Sequence, residues 1–344
     1  MNEKTVAILR RAMLPLDGTI ADRVPAILDA YAAIVPQDRW HRTTMLDLTA
    51  GSCLAPALFA ACGVRRLFVN DLAPRSHLAA KFLFGARAID LALVRALASK
   101  PRPRLRPHVP TFHFACDYLT APVCDIFDRL YHADVPAPLR VGLRYLAVRW
   151  ALGFARSPED GFEILYTHDP AQLARIRKPD WRPYLARARR PLAVLDRLAR
   201  DLNAAIAAIG PVKARVFCDD ILNVAARLRI AGPAVAIVNP PTRGLDEYTV
   251  DDQLVHSLMA NRWLPLSQTR ESPLAFWTRR VDAGLRHLPP GSHYIVWGGD
   301  GSMRFQACSD VWSLYGVPRF VARVGKSPEA PGWAIYQTHD KPVK

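Results

Sequence analysis

What this chain has little of narrows its class first. Of its 344 residues only six are cysteine, at positions 53, 62, 116, 124, 218 and 308, and no two form a C-x-x-C pair. That pattern excludes the common zinc-ribbon and dithiol redox motifs, and cysteines set within apolar runs are expected to be reduced core residues. His108, His113, Cys116 and Cys124 come nearest to a zinc cluster, but their spacing matches no common structural site, so no metal is expected. No apolar run approaches the length of a membrane span, and the amino-terminal segment has only a short apolar stretch before Arg10 and Arg11. The expectation is therefore a cytoplasmic protein with no membrane partner. No internal repeat is evident, which excludes a solenoid or propeller. The glycine run Gly298-Gly299-Asp300-Gly301-Ser302 lacks both a Walker lysine and dinucleotide spacing, and is expected to be a tight strand-to-helix turn capped by Ser302.

Acidic residues are also scarce: 31 against 46 Lys and Arg, a net charge of +15. This balance disfavours an acidic small molecule and suits a polyanion such as nucleic acid, or else an Arg-rich proteome. The surplus is uneven, since residues 100–200 hold 18 Lys and Arg against 10 acids. That segment opens with the Pro-spaced basic stretch Lys100-Pro101-Arg102-Pro103-Arg104-Leu105-Arg106-Pro107, which suits neither a helix nor an inner strand and marks a candidate boundary. Farther on, Arg175, Arg177, Lys178, Arg182, Arg187, Arg189 and Arg190 are interleaved with Trp181 and Tyr184. This mixture suits phosphate contacts with base stacking, and equally a solvated Arg-rich helix face.

With half its residues apolar, the chain can bury a sizeable core. Strand and helix periods alternate along it. A helix is expected over 20–35, a buried strand over 44–48 feeding a turn at Gly51, a helix over 55–62, a strand over 66–71 and a helix over 72–97. Packed helices follow over 139–155 and 191–209. The alternation then resumes with a strand over 214–220, a helix over 221–228, a strand over 234–238, helices near 250–260 and 274–285, and a strand over 293–297. Strands over 319–324 and 332–338 are expected to close the fold as a hairpin. The division expected is 1–99, 100–210 and 211–344, with the basic middle segment inserted between two parts of one α/β domain.

Two turns in this pattern carry chemistry. Asp47-Leu48-Thr49-Ala50-Gly51-Ser52-Cys53 follows an apolar strand, and an acid beside a Gly turn suits the amino and carboxypropyl end of S-adenosylmethionine. Asp71 ends the next strand twenty residues after Gly51, where nucleotide folds place a ribose-binding carboxylate, although the same side chain also suits a helix N-cap. Asp220 carries a similar pair of readings, adenine contact or N-cap. The second turn, Asn239-Pro240-Pro241-Thr242, ends the apolar run Ala234-Val235-Ala236-Ile237-Val238. Asn239 offers a side-chain carbonyl, and Pro241 has no N–H, so the Pro240 carbonyl is a rigidly placed acceptor. Two acceptors on one planar amine favour a pyramidal nitrogen whose lone pair can meet a sulfonium methyl in line, which is catalysis by orientation and preorganised electrostatics.

In this order the motifs resemble the Dam-like DNA adenine methyltransferases, in which a cofactor motif, a recognition region and an Asn/Asp-Pro-Pro-aromatic motif follow one another. The resemblance rests on Asp47-Leu48-Thr49-Ala50-Gly51-Ser52, Phe68-Val69-Asn70-Asp71, Val216-Phe217-Cys218-Asp219-Asp220 and Asn239-Pro240-Pro241. It implies a Rossmann-like seven-stranded methyltransferase sheet, mostly parallel with a terminal antiparallel hairpin, and an inserted, mostly helical basic region for target recognition. It further implies S-adenosyl-L-methionine held by Asp47, Thr49, Ala50, Gly51, Ser52, Asp71 and Asp220. Catalysis would fall to Asn239, Pro240, Pro241 and Thr242, and DNA contacts to Arg175, Arg177, Lys178, Trp181, Arg182 and Arg187. The expected activity is methylation of the exocyclic amine of adenine in flipped-out DNA.

Three features depart from the family pattern. Thr242 stands where the family has an aromatic that stacks on the flipped base, a contact worth roughly 1–3 kcal/mol, and Tyr248 is the nearest substitute. Cys53 replaces a second glycine of the cofactor loop. Of the family's early Tyr-x-Gly-x-Lys element only Gly18 survives. Two alternatives accordingly stay open: an RNA or protein-amide acceptor on the same fold, and a catalytically silent nucleic-acid-binding relative.

Overall fold

In the computed structural model, the residues described are 3–14, 23–85, 87–99, 121–154, 191–238, 256, 259–260, 273–297, 311–323 and 331–339. They form an α/β architecture around one seven-stranded mixed sheet. The helices are α1 (Glu3–Ala12), α2 (Val24–Ile34), α3 (Leu54–Ala61), α4 (Pro74–Gly85), α5 (Leu91–Ser99), α6 (Ala121–Tyr131), α7 (Ala137–Phe154), α8 (Pro191–Ile209), α9 (Ile221–Arg227) and α10 (Pro273–Leu285). The strands are β1 (Thr44–Asp47), β2 (Arg66–Asn70), β3 (Lys213–Phe217), β4 (Ala234–Val238), β5 (His293–Trp297), β6 (Gly316–Arg323) and β7 (Pro331–Thr338).

The strand order is β3-β2-β1-β4-β5-β7-β6. Strands β1 to β5 are parallel to one another, with Asp47 opposite Val69 on one side and Ile237 on the other. Only β7 runs against its neighbours, pairing antiparallel with both β5 and β6. The closing antiparallel hairpin expected from the alternation over 319–338 is therefore present, as is the mostly parallel sheet.

Alternation along each strand divides two cores. Met45, Leu67, Val69, Val235, Ile237, Ile295 and Ile335 lie in one, together with apolar residues of α1 to α5, α7 and α8. Their neighbours Leu46, Phe68, Ala236, Tyr294 and Val296 lie in the other, beneath α9 and α10. Helices thus cover both faces, and β1 is buried along its whole length, including its polar ends Thr44 and Asp47, as expected of an inner parallel strand covered on both sides. Helices α7 and α8, from the middle segment, share the first core through Tyr145, Trp150, Leu195 and Leu202.

One expected helix is broken in two. The pattern over 72–97 resolves into α4, which ends at Gly85, and α5, which begins at Leu91. Ile89 between them exchanges two hydrogen bonds with the Asn203 side chain of α8, at 2.7 and 2.9 Å. Asp90 then accepts from the Ala92 N–H at 2.8 Å and caps α5. A tertiary amide contact and a local cap together outweigh the continuous helical period.

Candidate functional site at the carboxyl ends of β1, β2 and β4

In the strand order, β1 is followed on one side by β2 and β3 and on the other by β4 and β5. The connections therefore turn in opposite directions between β1 and β4, and such a switch point opens a crevice at the carboxyl ends of the strands, where open α/β sheets bind ligands. The Asp47–Cys53 turn leaves β1 at this edge. The Asn239-Pro240-Pro241-Thr242 segment continues the chain from Val238, the last residue of β4. Those four residues lie outside the described residues, as do Gly18, Tyr248, and all of Arg175, Arg177, Lys178, Trp181, Arg182 and Arg187.

The turn is built from unusual backbone. Gly51 has φ 50° and Cys53 has φ 62°, the latter being the one non-glycine residue with positive φ among the described residues. Left-handed backbone costs a side-chain-bearing residue roughly 1–2 kcal/mol. Cys53 is nevertheless held there, since its N–H donates to the Ala50 carbonyl at 2.7 Å and its thiol is fully buried, donating to the Ser76 carbonyl at 3.5 Å. Cys53 thus holds a backbone conformation that ordinarily falls to glycine.

Asp71 fastens the turn from the side. Its carboxylate accepts the Gly51 N–H at 2.7 Å through one oxygen and the Ala73 N–H at 2.8 Å through the other. The acid therefore braces the first turn of α4 and the Gly51 turn together, with the Ser76 side chain as a further hydrogen-bond partner. Burial pushes its pKa above the ordinary carboxylate value, opposed by those two N–H donors and by Arg75.

Asp47 stands in a harsher setting. It is 2% exposed, and the Thr49 N–H donates to it at 3.2 Å. Burial is the main cause that raises its pKa to about 7, with Asp71 adding to the rise and the Thr49 N–H opposing it. Next to it, the Thr49 hydroxyl oxygen is buried with no hydrogen-bond partner among the described residues. Ala50 donates its N–H to the Asn70 carbonyl at 3.0 Å, and Ser52 is buried at the start of α3. An under-bonded carboxyl and an orphan hydroxyl side by side fit a ligand that brings a cation and a hydrogen-bonding group, such as an amino acid moiety.

Asn70 is a structural member of the site that sequence reasoning quoted but gave no role. Only 1% exposed, it donates from Nδ2 to the Leu48 carbonyl at 3.2 Å and to the Asp219 carbonyl at 3.1 Å, and its Oδ1 accepts the Asp219 N–H at 3.3 Å. One amide thereby joins the tips of β1, β2 and β3. The available signal was a bare amide closing an otherwise apolar buried strand.

Asp220 is the N-cap of α9, accepting the Leu222 N–H at 2.9 Å, and its second oxygen pairs with Arg280, a residue of α10 that is 6% exposed. Both of its oxygens thus have protein partners. Asp219 beside it accepts from Asn223 and pairs with Arg227, and the Asn223 contact is the first cause holding its pKa below the ordinary value.

Among the described residues no group of three or more His, Cys, Asp or Glu is placed to hold a metal ion. No helix among them is long and apolar enough to cross a membrane. No protein-family model matches the chain, and no curated protein matches it.

Proposed function

We propose that the chain is an S-adenosyl-L-methionine-dependent methyltransferase acting on the exocyclic amino group of adenine in DNA, with the target base flipped into the crevice. One observation carries the reading: the strands leading into the Asp47–Gly51 turn and into Asn239-Pro240-Pro241 are adjacent, parallel and in register at the switch point, with Asp47 opposite Ile237. The strands that precede two motifs nearly two hundred residues apart in sequence thus end at one edge of the sheet. The strand order, with a reversed β7 between β5 and β6, is in keeping with the sheet that the Dam-like resemblance implies.

Asp47 and the Thr49 hydroxyl would hold the amino acid end of the cofactor, Asp71 its ribose and Asp220 its adenine, with Ala50, Gly51 and Ser52 shaping the loop around it. When bound, the cofactor supplies an electrophilic methyl group on a sulfonium. Asn239 Oδ1 and the Pro240 carbonyl would accept the two N–H protons of the target amine, directing its lone pair outward. Pro241 would keep the preceding carbonyl fixed, and Thr242 would border the base. Arg175, Arg177, Lys178, Trp181, Arg182 and Arg187 would contact the DNA.

Thr242 favours a second reading. Without a stacking ring the acceptor tolerance widens, and the same acceptor pair could take an amine of RNA or a protein amide. Incubation with radiolabelled S-adenosylmethionine and DNA, RNA or protein separates these readings. Label in N6-methyladenine of DNA, lost at least a hundredfold in Asn239→Ala with cofactor affinity retained, is the expected result. Tight cofactor binding with no label in any DNA would overturn the DNA assignment, and full activity of Asn239→Ala would overturn the acceptor mechanism.

A further inference from the structure

The outermost strand at one end of the sheet is β3, and its register with β2 creates an unusual juxtaposition. Arg66 lies directly opposite Lys213, and Phe68 directly opposite Arg215, in a parallel ladder where paired residues share one face. Arg66, Lys213 and Arg215 are all exposed. Among the described residues neither Arg66 nor Lys213 has an acid within ion-pair distance. The nearby acids Asp219 and Asp220 are engaged by Arg227 and Arg280. Like charges directly opposite each other destabilise a sheet pair, so this arrangement costs the free protein stability.

The third cation is held in place. The Arg215 guanidinium lies over the rings of Phe68 and Phe217, at 5.3 and 5.5 Å from their centroids, and Arg227 approaches Phe217 at 5.6 Å. Stacking of this kind restrains a long side chain while leaving its N–H donors outward, which lowers the entropy lost when an anion binds. Lys213 and Arg215 are two residues apart, roughly 6.6 Å along the strand, and Arg66 is one strand spacing away, about 4.8 Å. The cations therefore form a right-angled patch on a rigid sheet, with Arg215 toward the rim of the crevice near Phe217 and the Lys213–Arg66 pair toward the amino ends of β3 and β2. Three exposed cations on an open face match the repeated charges of a backbone passing over it, whereas a small anion needs a concave, enclosing site.

We propose that this face of β2 and β3, carrying Arg66, Lys213 and Arg215, is a docking surface for the phosphate backbone of duplex DNA flanking the crevice. The surface rests on the nucleic acid partner proposed above but is separate from methyl transfer. It adds a contact on the core sheet to those proposed for residues 175–187.

The test is fluorescence anisotropy of a labelled duplex about two helical turns long, without cofactor, from about 50 to about 200 mM salt. The full chain is compared with Arg66→Gln/Lys213→Gln/Arg215→Gln and with Arg39→Gln/Arg42→Gln/Arg197→Gln, which removes the same charge from exposed positions elsewhere. The edge variant should bind at least tenfold more weakly, with a slope of log affinity against log salt flatter by about 2.7, or about 0.9 for each lost phosphate contact. The control triple should change affinity less than about threefold. Equal losses in both triples, or an unchanged slope in the edge variant, would overturn the surface while leaving the partner intact. No binding of any duplex by the unaltered chain would overturn the surface and the DNA partner together. Tighter binding of an RNA duplex, with the whole slope change confined to it, would overturn the commitment to DNA.

Discussion

At the tip of β3, Asp219 faces Arg227, and Asp220 faces both Arg280 and the first turn of α9. At the tip of β1, Asp47 is more deeply buried, accepts the Thr49 N–H at 3.2 Å and has a second acid, Asp71, nearby to oppose its ionisation. Among the described residues, an arginine pairs with each acid at the first place, whereas no cation is among the causes acting on Asp47 at the second. A carboxyl buried without a counter-cation is costly to ionise. The cost is offset when a ligand brings the positive charge, as the proposed cofactor would with its amino group. The difference between the two tips is thus between acids whose charge the described residues balance and one whose charge is left to a ligand.

The largest test of that contrast is pH dependence. Asp47 holds its proton more tightly in the folded chain, with a pKa of about 7 against an ordinary 3.8. Between those values the folded state carries more protons than the unfolded one, so this group's contribution to stability falls as pH rises, and the loss is complete above about 7. Asp47→Asn should therefore raise the stability of the ligand-free chain at pH 8 by as much as about 4 kcal/mol, seen as a higher melting temperature, with no gain at pH 4. The same variant should weaken S-adenosylmethionine binding at least a hundredfold at pH 8, measured by calorimetry. A melting temperature unchanged at pH 8 would show that the folded chain already neutralises this carboxylate.

Asn70→Ala comes next, since it breaks the connection between the two tips. Three hydrogen bonds, one buried and two partly buried, at about 1 kcal/mol each put the expected destabilisation near 3 kcal/mol in urea unfolding, with cofactor affinity lowered as the Gly51 turn loosens. A smaller effect is expected for Asp220→Asn. Asn caps a helix about as well as Asp, so the variant isolates the Arg280 ion pair, whose loss should cost about 2 kcal/mol. Cofactor affinity should fall less than in Asp47→Asn, and a greater fall would place the binding carboxylate at β3.

Much of this architecture was legible locally. The helix α8 over 191–209 and the strands over 234–238 and 293–297 stand where hydrophobic period and turn residues set them, because those signals act between near neighbours. The order in which strands pair is set by long-range packing, and no local period encodes that β4 lies beside β1. Asp220 shows a different limit: one side chain suited two roles, and the deciding partner, Arg280, is 60 residues away. The left-handed Cys53 was invisible for a related reason. Its conformation is imposed by bonds to Ala50 and Ser76, whereas its residue type argues against it. The split between α4 and α5 likewise depends on Asn203, distant in sequence.

The Asn70 amide carries a lesson for remodelling the molecule. Because it reaches Leu48 on one side and Asp219 on the other, the loops after β1 and β3 cannot be lengthened independently: extra residues in either would pull the amide away from both. Grafts and permuted termini belong instead at Gly232 or Gly291, exposed or half-exposed turn glycines before β4 and β5 whose positive φ marks tight reversals at the opposite rim of the sheet.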